Sequence, residues 1–221
     1  ETIHAAAGDD FPVQLRYSVK SMVKDFNSGA LPGEEFEEKG RDIAEGIEAA
    51  RLLHSYGYEA LDVDEGSYDS WYWSHPPMYQ AKGLYMPDVK KLKDAAPEIP
   101  LILAGRMDDP ELAHKAITEG YTDMISLARP TLADPEIVNK LEAGKPETVR
   151  PCISCQEGCI GRIAEYLSIR CAVNPEAARE ADTVLLPTPK HRAKKVMIIG
   201  GGLAGLESAR VTGGRGHTPG L

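Results

Sequence analysis

Residues 100–130 read PLILAGRMDDPELAHKAITEGYTDMISLARP, and this stretch decides the fold. An apolar run at 100–105 is followed by an amphipathic segment at 108–120, which ends at a glycine, and then by a second apolar run at 122–130. Apolar strands that alternate with amphipathic helices are typical of a parallel sheet covered by helices. The stretch therefore predicts a strand–helix–strand unit of an α/β protein.

The same alternation extends along the chain on both sides of this unit. The further predicted elements are strands at 13–20 and 60–66, helices at 33–57, 87–96 and 134–144, and a long loop at 67–86. The helix over 33–57 rests on apolar residues at helical spacing, namely Phe36, Ile43, Ile47, Ala50 and Leu53. A doubly wound sheet and a (β/α)8 barrel both have this order, but four βα units in about 130 residues fit barrel spacing. Because a closed barrel needs eight units, we expect the C-terminal half of a (β/α)8 TIM barrel, about strands 5–8.

Composition excludes several classes of partner. The formal net charge is −9, which disfavours binding to a nucleic-acid backbone. No apolar run approaches the roughly 20 residues of a membrane helix, and the first residues do not resemble a signal peptide. We therefore expect small-molecule chemistry in a reducing cytoplasm, with no nucleic-acid or membrane partner and a possible homo-oligomer.

All four cysteines lie within residues 151–175, with the spacing Cys152-x2-Cys155-x3-Cys159-x11-Cys171. Sulfur ligands hold either a tetrahedral Zn²⁺ ion or a [4Fe–4S] cluster. A structural zinc site usually uses two CxxC pairs, whereas a compact loop of three cysteines with one more distant ligand suits a cubane. We expect a [4Fe–4S] cluster, with structural zinc and unligated thiols as the alternatives.

A glycine-rich turn occurs in VMIIGGGLAGLES, residues 196–208. Gly200, Gly202 and Gly205 follow an apolar strand and precede a helix, which is the context of a dinucleotide-binding turn. We expect the first βα unit of a dinucleotide-binding domain, with a helix that does not continue into 211–221. The acidic residue expected about 20 positions later falls beyond Leu221. We therefore expect a fragment cut at both ends, or a gene product damaged at its 3′ end.

Two predicted strands end beside an arginine. Gly105–Arg106 and Ala128–Arg129 combine a small residue, which exposes backbone N–H groups, with a guanidinium that matches phosphate oxygens. Phosphate often binds at this end of a barrel, and solvated surface arginines are the alternative.

Arg16 interrupts an otherwise apolar strand and needs an anionic partner. The N1/O2 edge of a reduced flavin or a structural carboxylate would serve.

The segment DVDEGSYDSWYWSHPP, residues 62–77, contains both tryptophans of the chain together with Asp62, Asp64 and Glu65. Aromatic and acidic side chains at a strand end are typical of a substrate wall and a proton donor. Tyr68 and His75 are the candidate catalytic residues of this loop. A packed aromatic loop without catalytic function is the alternative.

Several motifs together closely resemble one family. They are RYS at 16–18, AGRM at 104–107, SLARP at 126–130, the four-cysteine spacing and GGGLAGLESA at 200–209. The chain resembles the iron–sulfur flavoproteins of the Old Yellow Enzyme family, the branch with 2-enoate, 2,4-dienoyl-CoA and bile-acid enoate reductases. The resemblance covers nearly residues 11–212.

The resemblance implies a domain order and an activity. It implies an FMN-binding barrel at 1–148, a [4Fe–4S] segment at 149–180, a linker at 181–193 and the start of an FAD/NAD(P)H domain at 194–221. Such enzymes pass electrons from NAD(P)H through FAD and the cluster to FMN, which reduces the activated C=C bond of an unsaturated acid or acyl-CoA. We therefore expect an NAD(P)H-dependent oxidoreductase acting on CH–CH bonds.

The resemblance also implies roles for individual residues. It implies that the flavin N1/O2 edge contacts Arg16 and that the FMN phosphate binds at Gly105, Arg106, Ala128 and Arg129. It implies that the ligands of the cluster are Cys152, Cys155, Cys159 and Cys171. It also implies that the FAD pyrophosphate binds at Gly200, Gly202 and Gly205.

The sequence departs from the family in two places. Dienoyl-CoA reductases have a histidine after the sixth strand, where this chain has Tyr68, with His75 further along, so a tyrosine is a candidate for the proton donor. Strands one to four are absent, so we expect no turnover from the isolated chain. The alternatives are an amine dehydrogenase on the same scaffold, with an aromatic cage for an alkylammonium, and a non-catalytic redox or metal-binding fragment.

Overall fold

The computed structural model describes residues 2–221, which form two compact units divided between Pro175 and Glu176. A π-helical turn at Glu157–Gly161 precedes the last helix of the first unit. In chain order, the first unit contains α1 (Thr2–Ala7), β1 (Gln14–Ser18), β2 (Val23–Asp25), β3 (Ser28–Gly29), α2 (Ile43–Ser55), β4 (Ala60–Asp64), α3 (Trp71–Ser74), α4 (Met86–Ala95), β5 (Leu101–Leu103), α5 (Pro110–Thr118), β6 (Met124–Ile125), α6 (Arg129–Ala133), α7 (Ile137–Glu142) and α8 (Arg162–Ala164).

The central feature of this unit is a parallel sheet with the strand order β1-β4-β5-β6. Each strand pairs with the next sheet strand along the chain, and Arg16 of β1 lies in register with Asp62 of β4. Helices connect the strands, as parallel pairing requires. The predicted α/β class with a parallel sheet is confirmed.

The two faces of the sheet differ in chemistry because side chains alternate along a strand. One face carries Leu61, Val63, Leu101 and Leu103, all fully buried, and α2 and α4 contribute apolar residues to the same core. The opposite face of β1 and β4 carries charged residues, including Arg16. The charged face of these strands is therefore available for a site, while the apolar face stabilises the fold.

The first predicted helix is shorter than its sequence pattern indicated. The helix predicted over 33–57 begins only at Ile43, because Asp42 caps it by accepting the backbone N–H of Glu45 at 2.9 Å. Phe36 lies outside the helix but packs against the core. The apolar side chain of Phe36 therefore indicates contact with the core and does not belong to the periodic pattern of the helix.

The predicted strand at 122–130 is also shorter, since only Met124–Ile125 pair with β5. Helix α6 begins at Arg129 with Pro130 in its first turn, where proline is well tolerated. The hairpin of β2 and β3, and α3 within the predicted loop, were not predicted. Such short elements lack the several repeats that a periodicity argument needs.

The second unit is a small βαβ arrangement. It consists of β7 (Lys195–Met197), α9 (Leu203–Gly214) and β8 (Thr218–Gly220), and its two strands pair in parallel. The prediction that the helix would not continue into 211–221 is wrong, since α9 extends to Gly214 and β8 follows a turn at Gly216 with φ +84°. Among residues 2–221, no helix combines the length and apolarity needed to cross a membrane.

Candidate functional site

A cavity of about 610 Å³ opens at the carboxyl ends of the parallel strands. Its lining includes Arg16, Asp64, Gly105, Arg129 and, on another wall, Cys159. Chemistry in barrels with this strand arrangement takes place at the same end. The cavity therefore brings the predicted strand-end residues together with part of the cysteine segment.

Arg16 lies between two carboxylates of β4. Its Nη1 is 2.7 Å from Asp62 Oδ2, and its Nη2 is 2.8 Å from Asp64 Oδ2. Burial alone lowers the pKa of Arg16, but the charges of Asp64 and Asp62 raise it above its ordinary value. The structural-carboxylate partner considered for Arg16 is thus present. About half of the arginine side chain stays exposed (49%), which leaves it free to meet a ligand in the cavity.

Gly105 follows β5 and has φ +94°, which favours glycine. A Cβ atom at this position would lie 2.5 Å from Cδ2 of Tyr85, a fully buried ring that also lines the cavity. The Tyr85 hydroxyl donates to the carbonyl oxygen of Trp73. Glycine is therefore required here for the backbone to pass directly over an aromatic ring.

Arg106 reaches the cavity but has other partners. Its Nη1 donates to the carbonyl oxygens of Pro77 and Met78 at 3.2 Å and to that of Gln80. Its Nε is buried and has no hydrogen-bond partner among residues 2–221. The side chain predicted to bind phosphate therefore also holds the loop at 77–80 in place.

The guanidinium of Arg129 is a cation of the site that has a buried N–H group without an acceptor within residues 2–221. Arg129 follows Ala128 at the start of α6, and both residues line the cavity. Its Nη1 is buried and lacks a hydrogen-bond partner in the described part of the chain. A buried guanidinium N–H without a partner is unfavourable unless an anion binds it, so the residue fits the phosphate of FMN.

The structure separates the two candidate catalytic residues of the aromatic loop. His75 lines the cavity, and its Nδ1 is buried with no hydrogen-bond partner within residues 2–221. Burial, and then the charge of Arg129, lower the pKa of His75, which keeps the imidazole neutral near pH 7. Tyr68 is 89% exposed and lies outside the cavity. It stacks on Trp71 at 5.6 Å between ring centroids, and Trp71 lies 4.3 Å from the His75 ring.

The four cysteines, all free thiols, line a second, small cavity that adjoins the first. A Cβ atom at Gly158 would lie 2.7 Å from the carbonyl oxygen of Arg170, so glycine lets the loop of three cysteines pack against the segment before Cys171. In the described chain, no group of three or more His, Cys, Asp or Glu side chains is close enough to hold a metal ion. Four free thiols around one cavity supply the sulfur ligand set that a [4Fe–4S] cluster requires.

The glycines of the second unit form a tight turn between β7 and α9. Gly200 has φ +109°, and a Cβ atom at Gly205 would lie 1.8 Å from the Gly200 carbonyl oxygen. A Cβ atom at Gly202 would meet no atom within 4 Å. This turn has the geometry in which the third glycine allows close packing and the second leaves room for a ligand.

Two residues of the site region were not considered from the sequence, and a third, Glu65, was noted only as one acid of the segment at 62–77. Tyr85 lies under Gly105, and Gln156 contacts the loop that carries His75. Glu65 directly follows β4 and is 3% exposed; burial, and then the charge of Asp88, raise its pKa to about 8. The position of Glu65 after a strand was the available signal. The other two depend on contacts across the fold that no local pattern reveals.

Comparison with known proteins identifies the family to which the chain belongs. Residues 1–148 match the NADH:flavin oxidoreductase / NADH oxidase family. The chain belongs to this family. The chain is 58% identical over 217 residues to cinnamate reductase of Clostridium sporogenes, covering 98% of this chain and 32% of the relative. It thus spans about a third of the length of the curated relatives it matches.

Solved structures agree with this flavin oxidoreductase fold. A 2-naphthoyl-CoA reductase in complex with 2-naphthoyl-CoA matches with a TM-score of 0.82 and 27% identity over 97% of this chain and 30% of that one. Histamine dehydrogenase from Rhizobium sp. 4-9 matches with a TM-score of 0.77 and 26% identity over 98% and 29%. The family supports a redox enzyme that uses a flavin, as the resemblance implied.

Proposed function

We propose that this chain is part of a flavin and iron–sulfur oxidoreductase that reduces an activated C=C bond with electrons from NAD(P)H. The observation that carries the proposal is the shared wall between the two cavities. Arg129, Cys152 and Cys159 line both of them. A flavin in the larger cavity and a cluster in the smaller one would therefore lie side by side.

The cavity residues of this chain would hold FMN at its charged ends. Arg129 Nη1 and the backbone around Gly105 and Ala128 would bind the phosphate, while Arg16, oriented by its two carboxylates, would face the flavin ring. When bound, FMN supplies the hydride chemistry that the protein side chains lack. Charge supports this arrangement, because the buried Nη1 of the Arg129 guanidinium lacks a hydrogen-bond acceptor among the described residues and a phosphate would supply one together with the opposite charge.

His75 is the residue that we propose to handle the proton. Its buried Nδ1 has no hydrogen-bond partner within residues 2–221 and lies at the cavity, so a substrate bound there can exchange a proton with the ring. Tyr68, the other candidate, lies at the exposed outer end of the aromatic stack. Geometry therefore favours His75 over Tyr68.

We further propose that Cys152, Cys155, Cys159 and Cys171 hold a [4Fe–4S] cluster, and that the second unit binds FAD pyrophosphate at Gly200, Gly202 and Gly205 in the whole protein. The common cavity of the four thiols supports the cluster. The open space around Gly202 supports the pyrophosphate.

The proposed substrate is an unsaturated carboxylic acid or its acyl-CoA. The names of two similar proteins, cinnamate reductase and 2-naphthoyl-CoA reductase, support this class. Amine oxidation is the second candidate, because histamine dehydrogenase has the same fold and an aromatic stack adjoins His75.

The test is to purify the protein under strictly anaerobic conditions and to measure FMN, iron, acid-labile sulfide and zinc per chain. We expect about one FMN, four irons and four sulfides. One zinc and no sulfide would contradict the cluster. Full-length protein is then supplied with NADH or NADPH and either cinnamate or histamine. Consumption of cinnamate supports the reductase, whereas turnover of histamine alone supports the amine dehydrogenase.

A further inference from the structure

One side chain of the cysteine loop reaches the loop that carries His75. The side-chain amide Nε2 of Gln156 donates a hydrogen bond to the backbone carbonyl oxygen of His75, across 81 positions of sequence. The bond is partly buried, so water competes for it only weakly. It directly connects the segment of the four thiols with the proposed proton-handling residue.

The backbone on the glutamine side is held firmly. Gln156 has φ +63°, an uncommon conformation for a residue with a side chain. Its carbonyl oxygen accepts the backbone N–H of Gly161 at 2.9 Å, which closes the turn that contains Cys159. The amide is therefore presented from a fixed point between Cys155 and Cys159.

The backbone on the histidine side has fewer constraints. The backbone N–H of His75 donates to the Trp71 carbonyl oxygen at 3.0 Å, and the two rings lie 4.3 Å apart between centroids at a tilt of 30°. His75 Nδ1 makes no hydrogen bond within the described residues. Because no hydrogen bond to Nδ1 orients the ring, its position at the cavity depends on its contact with Trp71 and on the backbone to which it is attached.

We propose that Gln156 is a positioning residue that fixes the His75 backbone and so holds its ring at the cavity. The proposal rests on the function proposed above and extends it. It makes the cysteine loop a support for proton transfer as well as a ligand set. Loss of the amide donor would let the backbone at His75 shift while leaving the thiols in place. The neighbouring segments keep their own bonds, from Trp73 Nε1 to the Ala30 carbonyl oxygen and from Arg106 to the loop at 77–80.

The test replaces the donor without changing the shape of the side chain. Gln156→Glu places a carboxylate oxygen opposite the His75 carbonyl oxygen, which breaks the bond. Glu157→Gln is the matched control, because it makes the reverse change at the exposed neighbouring residue. The partly exposed Trp71 has its ring centroid 4.3 Å from that of His75, so acrylamide quenching of tryptophan fluorescence reports on a shift of His75.

For Gln156→Glu we expect unchanged iron and sulfide per chain and an acrylamide quenching constant raised about twofold, because the backbone at His75 shifts locally. In the full-length enzyme we expect kcat to fall about tenfold with KM unchanged, since only the proton-handling group is displaced. Glu157→Gln should match the unsubstituted protein in all measurements.

Unchanged quenching and unchanged kcat in Gln156→Glu, with iron retained, would overturn the proposal. Loss of iron with unchanged quenching would also overturn it, because the glutamine would then serve only the cysteine loop. If the added charge unfolds the protein, Gln156→Ala removes the same donor without charge and is judged by the same criteria. Absence of flavin and iron from the unsubstituted protein would contradict the proposed function, while fluorescence would still test the hydrogen bond.

Discussion

At the residue scale, buried polar atoms without partners mark the main cavity. Arg129 Nη1, Arg106 Nε and His75 Nδ1 lie in residues that line it, and none of the three atoms has a hydrogen-bond partner within residues 2–221. Each such atom costs about 1–3 kcal/mol when left unsatisfied. A polar or anionic ligand would recover part of this free energy, so these atoms indicate where binding takes place.

The first prediction concerns Arg129. Arg129→Gln should weaken FMN binding by about 10- to 100-fold, because a charge-assisted hydrogen bond of roughly 1.5–3 kcal/mol is lost. Quenching of flavin fluorescence during titration of FMN measures the affinity. Arg192→Gln, at an exposed position in the second unit, is the control and should bind FMN normally. Equal affinity in the two variants would show that Arg129 does not contact the phosphate.

The second prediction concerns the buried Glu65. Its pKa is raised from 4.5 to about 8, so between these pH values the folded protein binds a proton that the unfolded chain releases. Its contribution to stability is fully present below pH 4.5 and is lost as pH rises through 8. Glu65→Gln, a neutral isostere, should therefore remove this loss.

Thermal unfolding measured from pH 6 to pH 9 checks the Glu65 prediction. The decrease in Tm over this interval should be smaller in Glu65→Gln than in the unsubstituted protein by roughly 5–10 °C. Glu98→Gln removes the charge of an exposed glutamate and should leave the pH dependence unchanged. Parallel curves for all three proteins would mean that Glu65 is ionised throughout.

The sequence predicted which residue types reach the strand ends, but not all of their contacts. Arg16 and Arg129 were selected because parallel strands place their carboxyl ends at one edge, and the structure has both at the cavity. The bonds from Arg106 to the loop at 77–80 were not predictable, because they depend on the path of a 20-residue connection. Tyr68 was placed at the site by its position in the loop and by the family's histidine after the sixth strand, yet its ring lies outside the cavity.

At the element scale, the helices with strong end signals were predicted best. Helix α5 begins after Asp109, whose carboxylate accepts two backbone N–H groups, and α4 has Pro87 in its first turn. Helix α2 was predicted ten residues too early because Phe36 continued its apolar spacing, although it packs from a loop. Local patterns identify an element that buries one face, but they do not distinguish it from a loop that packs on the same core.

The third prediction concerns the two glycines of the cysteine loop. Gly158→Ala should reduce the iron and sulfide bound per chain, since its Cβ would lie 2.7 Å from the Arg170 carbonyl oxygen and push Cys171 away. Gly161→Ala is the matched control, because its Cβ would meet its nearest neighbour at 3.4 Å, an ordinary contact. Iron retained equally by both variants would show that this close packing does not determine ligation of the cluster.

At the scale of the whole molecule, the two units divide the proposed chemistry. Every residue that lines the main cavity and the adjoining small cavity lies before Pro175, whereas the glycine-rich turn lies in the second unit. The order of the units was predictable, because each motif occupies a separate range of sequence. Their structural boundary between Pro175 and Glu176 depends on contacts within each unit and was not predictable from composition.

The fourth prediction follows from this division. A chain that ends at Pro175 should bind as much FMN and iron as the whole chain, because it keeps every cavity residue. Absorbance spectra and iron analysis after anaerobic purification measure both. The full chain carrying Gly202→Ala is a control that alters only the second unit, where the added Cβ meets no atom within 4 Å. Loss of flavin from the shortened chain alone would mean that the first unit is not self-sufficient.

The order of strands in the sheet also bears on how the chain acquires its structure during synthesis. Because β1, β4, β5 and β6 pair only with their neighbours in sequence, each new strand finds its partner already made as the nascent chain leaves the ribosome. Within residues 2–221, each pairing therefore waits only for the one connection that separates two successive strands of the sheet. Within residues 2–221, this part of the sheet can thus grow from β1 to β6, one connection and one strand at a time.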